Sequence, residues 1–372
     1  MASTRWPWGG APPPIKVELP GLEVYRGLSY EELVRHPHFI ERPCPLCGSR
    51  ESGAIGQIDV FPIVRCAACS FLYNKLIMPP HVLEACVYSR LDPWAAERAA
   101  LDHGIVQPAD PAMVRRSARR LGRFYRRFLS TNGTGKFLDV GAGDGHLVYL
   151  MRVGGYDAYG VEMHDIRRRY AKARFDVDLI PGLFEDFQPD QFPAPTFDVI
   201  HLSHVLEHLL DPLACLRKCA ALCRKGGVIH VVVPNMAAWS LRRLGTLHYL
   251  FSPGHINHFS FEHLEALVRL AGFEVRYKTE RRICLTNLCQ APLMCKYPEV
   301  RMYRLVNHTR VPWPSPWIDR WLLKLLNNFP RLNYAFDHVL NRIEPLSWGV
   351  AGCNIGEELC LVASRKRMQG SG

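Results

Sequence analysis

Between residues 136 and 233 the chain alternates short apolar runs with stretches whose apolar residues recur at helical spacing. Residues 136–140, 157–163, 177–181, 196–202 and 228–233 read as strands, each a short, largely apolar run bounded by turn residues. The segment 146–153 and those after the later strands carry the 3.6-residue period instead. Strand and helix in this rhythm predict an α/β fold, a doubly wound parallel sheet with a ligand crevice beyond its carboxyl ends. Upstream, 111–130 reads as an amphipathic helix: Val114, Ala118, Leu121, Tyr125 and Phe128 form one stripe, and Arg115, Arg116, Arg119, Arg120, Arg123, Arg126 and Arg127 cover much of the rest. Such a face is expected to be solvated while the helix packs ahead of the first strand, although some arginines could grip phosphates of an acceptor. Residues 1–19, with Trp6-Pro7-Trp8-Gly9-Gly10 and Pro12-Pro13-Pro14, read as extended or disordered and without function.

The first strand runs into Gly141-Ala142-Gly143-Asp144-Gly145 and then a helical pattern. Glycines there let the backbone approach a ligand, and the helix presents unpaired N–H groups to it. A dinucleotide fingerprint wants its third glycine at 146, where this chain has His146. NAD is therefore disfavoured. Glu162, about 20 residues past the glycines and at the end of the second strand, suits the ribose hydroxyls of S-adenosylmethionine.

Further motifs follow in order: Val205-Leu206-Glu207-His208 and Asp211-Pro212 after the fourth strand, then His255-x-x-His258-Phe259-Ser260, a helix over 261–270 and Ala271-Gly272-Phe273. With these, residues 136–280 resemble the class I S-adenosylmethionine-dependent methyltransferases, in particular a bacterial subgroup. The resemblance implies a terminal antiparallel strand pair, placed at 273–280 and 358–364. It implies cofactor contacts from Asp139, Gly141, Gly143, Gly145, Glu162, Met163, Phe184 and His204. Leu183 stands where many members carry an aspartate for the adenine amine, so that contact falls to the backbone of Leu183 or Phe184, or to Asp186.

Cys44-Pro45-Leu46-Cys47 and Cys66-Ala67-Ala68-Cys69 are two Cys-x-x-Cys knuckles. Four thiolates leave no open position for reactive water, so Cys44, Cys47, Cys66 and Cys69 are expected to hold one structural zinc ion rather than form disulfides or pack as apolar thiols. The resembled methyltransferases often carry this module, followed by a segment like Phe71-Leu72-Tyr73-Asn74. Cys215, Cys219 and Cys223 recur at helical spacing among Leu and Ala and read as a buried face.

The expected organisation is a tail over 1–30, a zinc-binding module over 31–90, a helical linker with the arginine-rich helix over 91–135 and a methyltransferase core over 136–281. A helical insertion over 282–356 and a last core strand with tail over 357–372 complete it. In the insertion Ile318, Trp321, Leu322, Leu325, Leu326 and Phe329 make an apolar stripe, read as a lid or acceptor-binding element, with peripheral membrane contact or a dimer interface as alternatives.

The chain carries 46 Lys+Arg against 35 Asp+Glu, a net +11, which favours anionic partners. Thirteen cysteines and no bilayer-spanning run point to a reducing cytoplasm. The chemistry expected is methyl transfer to oxygen or carbon of a small, anionic acceptor such as a sugar or nucleotide-linked sugar. His258, or else His255, is the candidate general base. An RNA methyltransferase is the first alternative and a non-catalytic binding protein with a degenerate domain the second.

Overall fold

In the computed structural model the described residues are 21–88, 94–104, 106, 110–129, 135–194, 196–238, 241, 251–281 and 358–365. The expected insertion over 282–356 and the segment 1–19 lie outside them. The chain divides into two compact units: Met1–Pro93 with Pro234–Phe261 and Thr279–Leu359, and Trp94–Val233 with Glu262–Lys278 and Cys360–Gly372. Segment Pro234–Phe261, expected inside the methyltransferase core, packs with the N-terminal module.

In the N-terminal unit a helix over Tyr30–Arg35 starts at a capping box, where the Ser29 side chain accepts from the Glu32 amide and the Glu32 carboxylate accepts from the Ser29 amide. The tail expected through residue 30 is thus folded from Leu22, because Leu22 and Tyr25 are 0% and 5% exposed in a core with Leu33, Phe39 and Phe61. Four antiparallel strands follow, in the spatial order Asn257–His258, Leu72–Asn74, Phe61–Cys66, Ser52–Ile58.

The second unit is built on seven strands: β1 (Lys136–Val140), β2 (Asp157–Glu162), β3 (Ile180–Pro181), β4 (Phe197–Ser203), β5 (Cys223–Pro234), β6 (Phe273–Arg281) and β7 (Glu358–Arg365). Their spatial order is β6-β7-β5-β4-β1-β2-β3, and the pairs β1–β2, β2–β3, β1–β4 and β4–β5 are parallel. This is the expected Rossmann-like sheet, with the terminal pair neighbouring at one edge. Gly226-Gly227, a pair that by composition signals a turn, lies inside β5, where the register shifts between Cys223 and Val228 and Gly226 has φ +75. The chain leaves β1 outward through β2 and β3, then returns to β4 on the other side of β1. The crevice between the β1 and β4 carboxyl ends is therefore the topological switch point.

Among the described residues, the helices that accompany this sheet include α1 (Pro111–Arg126), α2 (His146–Val153), α3 (Asp165–Phe175), α4 (Pro212–Leu222) and α5 (Phe261–Leu270). α1 and α4 start alike: Asp110 and Asp211 accept from the Ala112 and Ala214 amides, and a proline fills the first helical position where an N–H would be unpaired. The α1 stripe is buried at Val114, Ala118 and Tyr125, with Leu121 and Phe128 half-buried against the same core. Cys215, Cys219 and Cys223 are 2%, 0% and 0% exposed, the last opening β5 rather than continuing the helix. No helix among the described residues is long and apolar enough to cross a membrane.

A polar row crosses the sheet interior. Asp139, His201 and His230 stand opposite one another on β1, β4 and β5, with Asp139 Oδ1 2.8 Å from His201 Nδ1, and His230 Nδ1 and Nε2 at 2.9 Å from Tyr125 Oη and 3.1 Å from Cys360 Sγ. Buried polar atoms cost free energy when a partner is lost. Tyr125→Phe, which keeps the ring and deletes this contact, is expected to destabilise the sheet unit by about 1–3 kcal/mol in urea unfolding; an unchanged midpoint would show that the row does not stabilise the sheet.

Candidate functional site

The loop after β1 is shaped by backbone angles few side chains tolerate. Gly141, Gly143 and Gly145 have φ of +69, +59 and +73. Space is equally restrictive: a Cβ at Gly141 would lie 2.8 Å from Val205 Cγ2, and one at Gly145 2.8 Å from Ala171 Cβ. Gly145 is the N-cap of α2 in the left-handed conformation, so the third glycine acts at 145 and position 146 is free to be histidine.

Glu162, 5% exposed at the end of β2, faces this loop. Its Oε2 accepts from the Gly143 amide and its Oε1 from the His164 amide, both at 2.8 Å. Each carboxylate oxygen has capacity for a second donor. Asp139, expected as a cofactor contact, is 4% exposed and tied to His201, so it braces the loop from beneath. Met163 is exposed beside Glu162. Phe184 is 4% exposed and packs on Phe192 at 5.7 Å, while its carbonyl accepts from Lys218 Nζ at 3.0 Å. Its ring is thus part of the core, and only its neighbourhood faces outward through half-buried Leu183.

At the end of β4, His204 has φ +56, an uncommon conformation for a residue with a Cβ. Its Nδ1 lies 3.0 Å from Oε1 of Glu207, whose side chain is 0% exposed against 35% for the histidine. A buried carboxylate orienting a half-exposed imidazole is the arrangement of a base and its positioning group.

Two residues outside the expected set join the loop. The Arg167 guanidinium lies against Gly143, whose added Cβ would be 3.1 Å from Arg167 Cζ, and its Cζ is 4.3 Å from the Trp94 ring centroid. Arg167 Nε and Trp94 Nε1 are both buried without a hydrogen-bond partner. Neither signal was readable locally, since Arg167 sits in a run of three arginines and Trp94 is 73 positions away in sequence.

In the N-terminal unit the two knuckles fold alike. The Gly48 amide donates to Cys44 O at 2.8 Å and the Ser70 amide to Cys66 O at 3.0 Å, with Gly48 and Ser70 both left-handed at φ +77 and +62. The amides of Leu46 and Cys47 donate to the Cys44 sulfur, and those of Ala68 and Cys69 to the Cys66 sulfur. Cys44 and Cys69 sulfurs are 3.6 Å apart, Cys47 and Cys66 sulfurs 3.5 Å, and all four lie within 4.8 Å of one another. These separations exceed a disulfide bond.

Next to this cluster the expected general base takes a different place. His258 is 2% exposed, and its Nε2 is 2.9 Å from Asn74 Oδ1, joining strand Asn257–His258 to strand Leu72–Asn74. Burial, then the neighbouring charges of His255 and Arg42, lower its pKa to about 3. Arg42, 7% exposed, donates to the carbonyls of Asn74 and Ile256 and to Asn257 Oδ1. His258 is therefore corrected from a base at the crevice to a buried pin of the N-terminal sheet. His255 is half-buried, and its amide donates to Ser252.

The fold and the loop define a Rossmann-like α/β domain with a glycine-lined ligand crevice. Residues 113–278 match the family model described as "Methyltransferase domain". The chain is 36% identical over 101 residues to the ubiquinone biosynthesis O-methyltransferase of Actinobacillus pleuropneumoniae, covering 25% of this chain and 43% of that protein. It is 29% identical over 162 residues to a Mycolicibacterium smegmatis protein named "Probable S-adenosylmethionine-dependent methyltransferase", covering 42% and 59%. The chain thus spans about half the length of the curated relatives it matches. A SAM-dependent methyltransferase structure from Archaeoglobus fulgidus superposes with a TM-score of 0.41 at 17% identity, over 68% of this chain and 94% of that one.

His258→Ala is expected to lower the unfolding midpoint of the N-terminal unit while S-adenosylmethionine affinity stays within about twofold of wild type. Because burial holds the folded pKa near 3, below the ordinary histidine value of about 6.5, the neutral histidine's contribution is complete above the ordinary value and is lost as pH falls toward 3. Acid unfolding monitored by circular dichroism should show a step below pH 6.5 that His258→Ala removes; an unaltered acid profile would contradict the assignment.

Proposed function

We propose that the chain is an S-adenosylmethionine-dependent methyltransferase acting on oxygen or carbon of a small biosynthetic acceptor such as a sugar or nucleotide-linked sugar. The carrying observation is the carboxylate of Glu162 fixed against Gly143 by two amide donors, with acceptor capacity left for two ribose hydroxyls. The left-handed glycines keep side chains out of the ligand's approach, and the unpartnered N–H groups of Arg167 and Trp94 suit the cofactor's carboxylate. When bound, the cofactor supplies an electrophilic methyl group. The protein's task is to orient the acceptor, exclude water and take up a proton where the acceptor carries one. His204, oriented by Glu207, fits that last task at the β4 end of the crevice. The O-methyltransferase name of the relatives supports an oxygen acceptor.

The four cysteines fit one structural zinc ion. Zinc–sulfur bonds of about 2.3 Å in a tetrahedron place sulfurs about 3.8 Å apart, close to the 3.5 and 3.6 Å found. The ion would be held by Cys44, Cys47, Cys66 and Cys69 with no position left for water, so its contribution is to folding.

In isothermal titration, S-adenosylmethionine and S-adenosylhomocysteine should both bind, with Gly143→Val and Glu162→Ala each weakening binding by about tenfold or more. Tight NAD binding with no response to either ligand would reject the reading. On an acceptor found by a labelled-methyl screen across nucleotide sugars, phenols and RNA, His204→Ala should cut turnover by about 100-fold at unchanged cofactor affinity; wild-type turnover would remove His204 as the base. Elemental analysis should return one zinc per chain, and Cys47→Ser should lose it and unfold the N-terminal unit with the sheet unit intact. A well-folded preparation without zinc would contradict the site.

A further inference from the structure

The arginines of α1 are organised differently from most of the basic side chains of α3, where only Arg169 is exposed without a partner among the described residues. Arg115, Arg116, Arg119, Arg120, Arg123 and Arg126 are all exposed. At 100° per residue they fall within an arc of about 140°, and with Arg127 in the same arc they form a ridge about 18 Å long. The helix contains no acidic residue, and none of these six makes an ion pair among the described residues. Successive members stand at i,i+3 and i,i+4, the spacing at which like charges repel.

α3 shows how this chain disposes of basic residues it keeps to itself. There Lys172 pairs with Asp176 and Asp178 at 2.7 and 2.9 Å, Arg168 pairs with Asp165 at 3.2 Å, and Arg174 lies over the rings of Tyr170 and Phe175. α1 has lysine nowhere and guanidinium throughout, the group whose planar donors fork onto phosphate oxygens.

From this contrast we propose that the α1 ridge binds the phosphodiester backbone of a single-stranded nucleic acid without reading its sequence. A membrane surface fits less well for two reasons. The apolar face of α1 is already spent in the core, with Val114, Ala118 and Tyr125 at 3%, 2% and 0% exposed, so the helix has nothing to insert. A plane of headgroups also touches only the crest of a ridge this wide, whereas a flexible phosphate chain follows it from one flank to the other.

The test is fluorescence anisotropy of the full-length chain with a labelled 20-nucleotide RNA and the DNA of the same sequence across a salt series, beside flotation with phosphatidylglycerol vesicles. Wild type should bind both strands with micromolar affinity at low salt. Arg116→Gln/Arg119→Gln/Arg123→Gln, which keeps helix-forming stems, should weaken binding by at least about tenfold and reduce the slope of log K against log salt by about 2, at about 0.7 per phosphate contact. Lys172→Ala should change neither. Should the triple variant misfold, Arg115→Gln/Arg120→Gln on the same ridge is read in its place, with a slope reduced by about 1.4. Unchanged affinity and slope in the folded variant, no binding of wild type to either strand, or binding to vesicles alone would each overturn the proposal. These outcomes do not depend on the methyltransferase reading, since the cofactor is absent from every arm.

Discussion

The carboxylate of Glu162 is the point on which the candidate site depends. It ends β2, yet its two oxygens hold the amides of Gly143 in the loop after β1 and of His164 before α3. Charge-assisted hydrogen bonds of this kind are stronger than neutral ones, and here they fix a loop whose glycines lie in left-handed conformations. The loop cannot relax sideways either. Gly160 on β2 has no room for a side chain, since a Cβ there would come within 2.6 Å of Ala142 Cβ. Glycine angles, carboxylate and strand packing thus constrain one another, and the carboxylate that shapes the loop is the group proposed to receive the ribose.

The N-terminal unit reaches rigidity by another route. Its sheet is short, and its polar interior is made of Arg42, Asn74, Asn257 and His258, each taking part in hydrogen bonds between strands or to backbone carbonyls. Burial lowers the Arg42 guanidinium to about 10, so it remains charged at neutral pH, two positions before Cys44. Its fixed positive charge interacts favourably with an ionised Cys44, which suits the four-cysteine zinc site proposed above. The histidine and asparagine after Pro253 therefore belong to the support of this unit.

Much of the sheet was legible because buried parallel strands are written as apolar runs and because glycine, at Gly141, Gly143 and Gly145, is chosen by backbone angle rather than by partner. The cysteine knuckles were legible for a similar local reason. What escaped was non-local. His258 looks like a crevice base from its place after β5, and only Asn74, 184 residues away, and Arg42 reveal its role. Arg167 looks like one more solvated arginine until Trp94 and Gly143 are brought to its two sides. Gly226-Gly227 carries a turn signal that the long β5 absorbs as a register shift.

Hydrogen exchange with and without S-adenosylhomocysteine tests the central claim most directly, because it reports where a ligand acts on the backbone. Ligand should slow exchange in peptides covering 139–146 and 162–165 and leave those covering 44–69 unchanged. Protection confined to other segments, or no protection at saturating ligand, would contradict a cofactor site built on Glu162 and the glycine loop.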